Sequence, residues 1–446
     1  MGASLRKRRL RGQPGPRCPA RGALAAGSIA LAVLGGAAPM RAAPQPRPVS
    51  IVYWAGHASG ALHRTVEAEV ALFNRTHPRI RVTFRAIGAS KHGLAAFAAG
   101  QAPNVAMVSS YVVPDLVQAH AILNLKPYID GPNGLTAKQI AAAYFPVVWN
   151  DMIGPSGRRY MMPLEKKTLL VIYYNRDLFR RAGISAAPRT WAQLGTDAAR
   201  IAGLGPRFHG IAWTPRLSQF FDMVLADGGH VFAPGTPRRR FALVNPGAEQ
   251  ALAMLRSWVR SGAMVLTTGY QYQLAFGTGD VGILMDASAG YTYDKRSVGG
   301  KFPLGAVSAP AGSAGYAAQY VNGASLVMFA VGSPAQRAAS WAFVKWMSSP
   351  QTNVYWDTHT NYVPLGPAAY QLIRAFYRAH PNWAASYSNP AHCWYKPRQE
   401  AAAYKAAEAN MMSPFLKGLQ GQLSVIQALQ QMTQVGNAYL SGRLRG

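Results

Sequence analysis

Cysteine is nearly absent. The 446 residues include two, Cys18 and Cys393. Cys18 lies in the basic leading segment after Pro16-Arg17, which is no lipoprotein cleavage box, so the rest of the chain holds one thiol and no internal disulfide. A lone thiol of this kind is expected to be buried and inert. There is no C-x-x-C and no H-E-x-x-H, the spacings that gather ligands around zinc, and neither metal nor cofactor is expected. Acids are scarce as well: 17 Asp and Glu stand against 46 Lys and Arg, a net charge of +29. The cations come as scattered groups, Lys166-Lys167, Arg158-Arg159, Arg180-Arg181 and Arg238-Arg239-Arg240. They form no stripe interleaved with aromatics, which argues against nucleic acid and for a solvated basic surface.

Long apolar runs are also missing. Residues 23–38 come nearest, but they are rich in Ala and Gly and fall short of the roughly 20 strongly apolar residues that span a bilayer. Before them stand Arg6, Lys7, Arg8, Arg9, Arg11, Arg17 and Arg21 with no acid, and after them the small residues Ala42 and Ala43. The order basic, apolar, small reads as a secretory signal over residues 1–43. The Lys7-Arg8-Arg9-Leu10-Arg11 stretch permits a twin-arginine variant without its full motif. Eight basic residues fall within 1–43, so +21 of the whole-chain +29 remains for the exported part. About 400 residues are too many for one core and imply two lobes.

From residue 49 the pattern alternates strand and helix. Ile51-Val52-Tyr53-Trp54 is an apolar strand. Val66, Val70 and Phe73 recur at helical spacing until His77-Pro78. Ile80, Val82 and Phe84 alternate, Leu94 and Phe97 share a short helix ending at Gly100, and residues 105–108 form a buried strand. This β-α-β-α-β order is that of an open α/β sheet. A second such unit begins near 163. Residues 169–174 read as a central strand. Thr190-Trp191-Ala192-Gln193 is a capping box, Asn245-Pro246 opens a helix bearing Leu252, Leu255 and Val259, and Ser333-Pro334-Ala335-Gln336 opens another. Residues 281–285 form a strand, and the Ala-, Gln- and Tyr-rich tail beyond Tyr362 is mostly helical.

Catalytic patterns fail on context. Gly277-Thr278-Gly279-Asp280-Val281-Gly282 matches a dinucleotide fingerprint, but a helix precedes it and a strand follows, the reverse of what a phosphate at a helix N-terminus requires. The glycines are expected to make a tight helix-to-strand turn. Asp286-Ala287-Ser288-Ala289-Gly290 resembles a nucleophile elbow lacking its first glycine, and none of the histidines, His57, His63, His359 and His392 among them, shows a partner acid in sequence. Tyr173-Tyr174, a pair that also occurs in ferric-ion receptors, is expected to pack one ring to each side of its strand. What remains is a set of aromatic and hydroxyl residues at strand ends, where open α/β sheets bind ligands: Trp54, Ser110 and Tyr111 after Ser109, Trp213, and Ser288. Aromatic faces pack on sugar C–H faces while hydroxyls fix orientation.

The ordered landmarks Phe97-Ala98-Ala99-Gly100-Gln101-Ala102-Pro103-Asn104-Val105, Tyr173-Tyr174-Asn175-Arg176-Asp177-Leu178-Phe179, Ala182-Gly183-Ile184, Pro188-Arg189-Thr190-Trp191, Gly323-Ala324-Ser325-Leu326, Phe343-Val344-Lys345-Trp346-Met347 and Thr360-Asn361-Tyr362-Val363-Pro364 resemble family 1 of the bacterial extracellular solute-binding proteins. The resemblance runs in particular to the branch that includes the glycerol-3-phosphate receptors, and it extends over nearly all of the exported chain. It implies a two-lobe periplasmic binding-protein fold of type II, each lobe an open α/β sheet, with crossings near Pro163, Pro310 and Tyr362. Lobe one would hold residues 44–162 and 311–361, lobe two 163–310 and 362–446. Family cleft contacts carry over to Ser90, Ser110, Lys167, Ser288, Gly323, Tyr362 and Gln427. Ser90 stands where those receptors use Tyr, Ser110 replaces an acid, and Gln427 replaces an Arg that would clamp phosphate. Lys166 or Lys167 offers a point charge and not a bidentate fork.

The implied function is capture, without catalysis, of a sugar, polyol or glycerol-phosphate-type solute in the periplasm. Lobe closure around the ligand would be followed by delivery to the membrane permease of an ABC importer, the receptor acting as a monomer. The rival classes are a secreted α/β enzyme acting on carbohydrate and a basic nucleic-acid-binding protein. The first lacks an acid–base constellation, and the second is opposed by the signal and the scattered charge. Gln427 and Ser110 suit neutral hydroxyls, since each donates and accepts, so an uncharged or masked ligand is expected over free glycerol 3-phosphate.

Overall fold

The computed structural model describes residues 47–151, 153, 158–168, 170–235, 240–387, 392–394 and 401–444. The expected signal, with Cys18, lies outside them. Thirteen strands follow in chain order: β1 Val49–Trp54, β2 Ile80–Arg85, β3 Val105–Ser109, β4 Met162–Pro163, β5 Lys167–Thr168, β6 Val171–Asn175, β7 His209–Trp213, β8 Met264–Leu266, β9 Val281–Asp286, β10 Leu304–Ser308, β11 Gln319–Asn322, β12 Ala324–Met328 and β13 Cys393–Trp394. They build a five-stranded sheet in the order β2-β1-β3-β12-β4, a second in the order β10-β6-β9-β7-β8, and a small one in the order β13-β11-β5. In the first sheet β1 runs parallel to β2 and β3, whereas β12 is antiparallel to β3 and β4. In the second β7 runs parallel to β8 and β9, and β6 is antiparallel to β9 and β10.

Both faces of the two five-stranded sheets are covered. In β3, Val105 and Met107 enter one apolar core while Ala106 and Val108 enter another. In β6, Tyr174 joins the larger core of the second sheet and Tyr173 the smaller one on the opposite face. The two rings point to opposite sides, as alternation requires, but both are buried. The C-terminal helices Ala401–Leu419 and Val425–Leu440 pack Tyr404, Met411, Phe415 and Leu429 into the larger core. Each such side chain contributes about 1.5–3 kcal/mol by leaving water.

The local signals resolve as the chemistry dictates. Thr190 accepts from the Gln193 backbone N–H while the Gln193 side chain reaches back, and Ser333 with Gln336 does the same. Asn245 caps helix Pro246–Arg260 with its side chain. Helix Gln271–Thr278 ends at Gly279, whose φ of +96° only glycine adopts without strain, and β9 follows at once. The G-x-G-x-x-G stretch is therefore a helix-to-strand turn. Cys393, expected to be buried, is half-buried in β13.

Residues 312–320 hydrogen-bond to helix Leu217–Ala226 and the residue after it, through Ser313 N to Asp227, Tyr316 Oη to the Leu225 carbonyl and Tyr320 N to Asp222. They therefore sit on the side of the second sheet, and the chain enters the first sheet at β12. The Val363 N–H donates to the Lys166 carbonyl at 2.8 Å, joining two of the segments expected to cross between lobes.

Candidate functional site

A cleft of about 520 Å³ is lined from the first-sheet side by Leu62 and Tyr362. The second-sheet side supplies Arg216, Tyr270, Tyr272, Gln273, Asp286, Ala287, Ala289, Gly290 and Tyr293. Asp286 is the last residue of β9, at the carboxyl end of a central strand, where an open sheet leaves a crevice. Its Oδ1 accepts from Tyr272 Oη at 2.9 Å and from the Ala287 N–H at 2.7 Å, and its Oδ2 accepts from Gln273 Nε2 at 2.9 Å. Arg216, the residue before helix Leu217–Ala226, donates through Nη2 to Tyr272 Oη at 2.9 Å and holds Nη1 3.7 Å from Asp286. Burial raises the Asp286 pKa, and the Arg216 guanidinium with the Ala287, Gln273 and Tyr272 donors pulls it back. Tyr272 rises because it is buried beside that carboxylate.

Around this polar floor, Tyr270 (72% exposed) and Tyr293 (48% exposed) are large aromatic groups left open at the rim. Tyr362 is buried against Trp356, edge to face with centroids 5.5 Å apart. Its hydroxyl hydrogen-bonds Glu165, and burial holds its pKa high. Glu165 also lies 3.1 Å from His57 Nε2. The Asn361 amide donates to the Ser288 carbonyl at 2.8 Å, stitching this segment to the turn after β9.

The residues singled out from sequence divide clearly. Tyr362 lines the cleft, and Ser288 sits between two lining residues with its hydroxyl buried and without a hydrogen bond. Ser110 is likewise buried at the end of β3 with an unpartnered hydroxyl. Tyr111 meets Tyr320, hydroxyl to hydroxyl, at 3.4 Å. Trp54 is buried in the core beside β3, and Trp213 is buried with its indole N–H donating to Gln219 at 2.6 Å. Ser90 accepts from the Ser109 N–H. The Lys167 backbone pairs with Asn322, and its side chain lies outside the described residues. Gly323 packs on the main chain, since a Cβ there would meet the Glu165 carbonyl at 2.0 Å. Gln427 is exposed and completes the capping box of Ser424 at the start of helix Val425–Leu440. Lys166 is fully buried, 3.4 Å from Asp151.

Sequence reading passed over Arg216, Tyr272, Gln273 and Asp286. Two of them were within reach of the strand-end rule: Asp286 precedes Ser288 by two residues, and Arg216 follows Trp213 by three. Among the described residues no group of three or more His, Cys, Asp and Glu side chains is placed to hold a metal ion, and no helix is long and apolar enough to cross a membrane. The floor offers a guanidinium and a carboxylate side by side with a phenol and an amide. That set grips paired hydroxyls, each donor facing an acceptor.

Comparison with known proteins bears on the fold and the family. The sn-glycerol-3-phosphate-binding periplasmic protein UgpB of Escherichia coli (strain K12) is 24% identical over 354 residues, 74% of this chain and 78% of that protein. The cyclic alpha-maltosyl-1,6-maltose binding protein of Arthrobacter globiformis shares the fold with a TM-score of 0.74 at 19% identity, over 89% of this chain and 100% of that one. UgpB of Mycobacterium tuberculosis, solved with glycerophosphocholine, does so with a TM-score of 0.71 at 18% identity, over 88% and 99%. The fold is thus the two-lobed α/β arrangement of type II periplasmic binding proteins. The model of the bacterial extracellular solute-binding proteins matches residues 59–354, more than half of the sequence, and the chain belongs to that family.

Proposed function

We propose that this solute-binding component of an ABC importer captures an uncharged, hydroxyl-rich solute, a sugar or polyol, in the cleft between its two lobes. The observation that carries the reading is the floor built by Arg216, Tyr272, Gln273 and Asp286. Its guanidinium already has a carboxylate 3.7 Å away, so its charge is largely balanced and a ligand phosphate would meet Asp286 as well as Arg216, whereas a diol can bond to both groups. Tyr270 and Tyr293 offer ring faces to sugar C–H groups. The similarity to a maltosyl-maltose binding protein supports the same class. The second reading, a glycerol-phosphate ester, is favoured by the similarity to UgpB and by the presence of Arg216 in the cleft.

Residues 1–43 act as a secretory signal, the mature chain works in the periplasm as a monomer, and it catalyses no reaction. Lobe one holds 44–162 and the segment that ends just past Tyr362, whose ring lies in the first-sheet core with Leu365, and lobe two holds 163–310 and the C-terminal helices. The bonds of residues 312–320 to helix Leu217–Ala226 support a crossing nearer β11 and β12 than Pro310. Leu62 and Tyr362 on one side and Arg216 and Asp286 on the other make closure favourable only when a ligand bridges them. The test is a thermal-shift and calorimetric panel of oligosaccharides, polyols and phosphate esters. A rise in melting temperature with neutral sugars or polyols supports the reading, and a response to phosphate esters alone overturns it.

A further inference from the structure

Behind the floor lies a second carboxyl group that the binding geometry does not use. Asp294, on helix Tyr291–Val298, is fully buried, and neither of its oxygens is within good hydrogen-bonding geometry of a donor. The Gln273 amide that faces it donates to Asp286. Gly290 separates the two acids. A Cβ there would stand 2.3 Å from Asp286 Oδ2 and 3.3 Å from Asp294 Oδ2, so the carboxyls converge on one point and only glycine leaves room between them. Two like charges this close, out of water, cannot both persist, because each raises the cost of ionising the other and burial adds to it. Asp286 takes three hydrogen bonds and has a guanidinium 3.7 Å away, whereas Asp294 has a share of the Gln273 amide and the more distant pull of Arg216.

The other titratable groups facing Asp294 do not alter the assignment. Tyr173 of β6 and Tyr272 of helix Gln271–Thr278 are phenols whose own ionisation is pushed up by burial, and Arg216 with the Gln273 amide favours the Asp294 charge. Burial first, then Asp286, push the Asp294 carboxyl well above the usual range.

We infer that Asp294 is held as a neutral carboxylic acid, which leaves Arg216 balanced by Asp286 alone and makes the cleft floor neutral, so that Asp294 sets the ligand-charge preference from behind the site. The proton stands on the structure by itself; its consequence for selectivity rests on the sugar-or-polyol reading.

The proton is read without ligand. Infrared spectra of the full chain at pH 7 should contain a protonated-carboxyl carbonyl band that disappears in Asp294→Asn, with the other buried acids cancelling in the difference spectrum. Asp294→Asn should also melt no lower than wild type at pH 8. A folded-state pKa above the unfolded one means stability is full below the unfolded value, about 4 for Asp, and is lost as pH rises through the folded value, a loss the amide does not suffer. A missing band, or a variant less stable at pH 8 than at pH 4 relative to wild type, overturns the proton. Selectivity is read with the double variant Asp286→Asn/Asp294→Asn, because Asp286→Asn alone removes a charge that keeps Asp294 neutral. Removing the only floor carboxylate leaves Arg216 unbalanced, and glycerol 3-phosphate should gain at least tenfold over a neutral sugar. No gain, with the band in place in wild type, overturns the charge-setting role. Failure of every neutral sugar and polyol to bind wild type, with the band present, sinks the ligand class and leaves the proton standing.

Discussion

Asp286 on the cleft floor and the buried acids of the first-sheet core hold their carboxyl groups in opposite circumstances. On the second-sheet side, Asp286 takes donors on both oxygens and has a guanidinium 3.7 Å away. On the first-sheet side, Glu69 and Asp357 are buried with one oxygen of each unpartnered, and the closest help for Asp357 is the Asn353 amide at 3.2 Å. Burial, then mutual repulsion with Glu165 and Asp357, raises Glu69 well above the carboxylate range, and burial alone accounts for most of the rise at Asp357. The difference lies in service. A carboxylate beside Arg216 has a cation and three donors to hold its charge, whereas burial works against charge on Glu69 and Asp357.

That contrast can be broken most sharply at Asp286. Asp286→Ala leaves Arg216 without its acid and Tyr272 and Gln273 without their acceptor, so ligand affinity should fall at least a hundredfold, about 2.7 kcal/mol or more, by calorimetry. Arg216→Lys keeps the charge but loses the fork. A loss of about tenfold is expected, with little change in melting temperature, because a point charge does not replace two directed donors. Tyr362→Ala should weaken binding at least tenfold, about 1.4 kcal/mol. Since its ring packs on Trp356, stability falls as well, and Tyr362→Phe separates the two by restoring the melting temperature while losing the bond to Glu165.

The first-sheet acids answer to pH and not to ligand. Their folded pKa values lie above the unfolded ones, so the stability they contribute is complete below about pH 4 and is lost as pH rises through the folded values. Asp357→Asn and Glu69→Gln should therefore raise the melting temperature at pH 8 relative to pH 4, with affinity unmoved. A variant equally shifted at both pH values would show these acids to be charged. Smallest of all, Gln427→Ala should leave affinity untouched and cost the helix about 0.5–1 kcal/mol of cap, visible only by denaturant melt.

Short-range chemistry was legible and long-range pairing was not. Thr190 with Gln193 and Ser333 with Gln336 announce their helices because both partners lie within one turn. The same pattern in Ser424-x-x-Gln427 makes Gln427 part of a helix cap, a signal carried by three residues of spacing. The turn at Gly279 followed from element order alone. The floor is different. Arg216, Tyr272 and Asp286 come from three elements separated by up to 70 positions, and nothing local says that their side chains meet. Strand-end logic came close, naming Trp213 and Ser288, but the residue at a strand end that packs inward and the one that faces the crevice differ by a step or two of register. Trp213 went to the core.

The most direct test of the account is a pair of calorimetric titrations, a neutral oligosaccharide or polyol from the panel and glycerol 3-phosphate, each at low and high salt. A floor with balanced charge predicts that the neutral ligand binds with an affinity that barely changes with ionic strength, that Asp286→Ala abolishes it, and that glycerol 3-phosphate binds weakly. Tight glycerol 3-phosphate binding that weakens with salt, together with no binding of any neutral sugar or polyol, would contradict it.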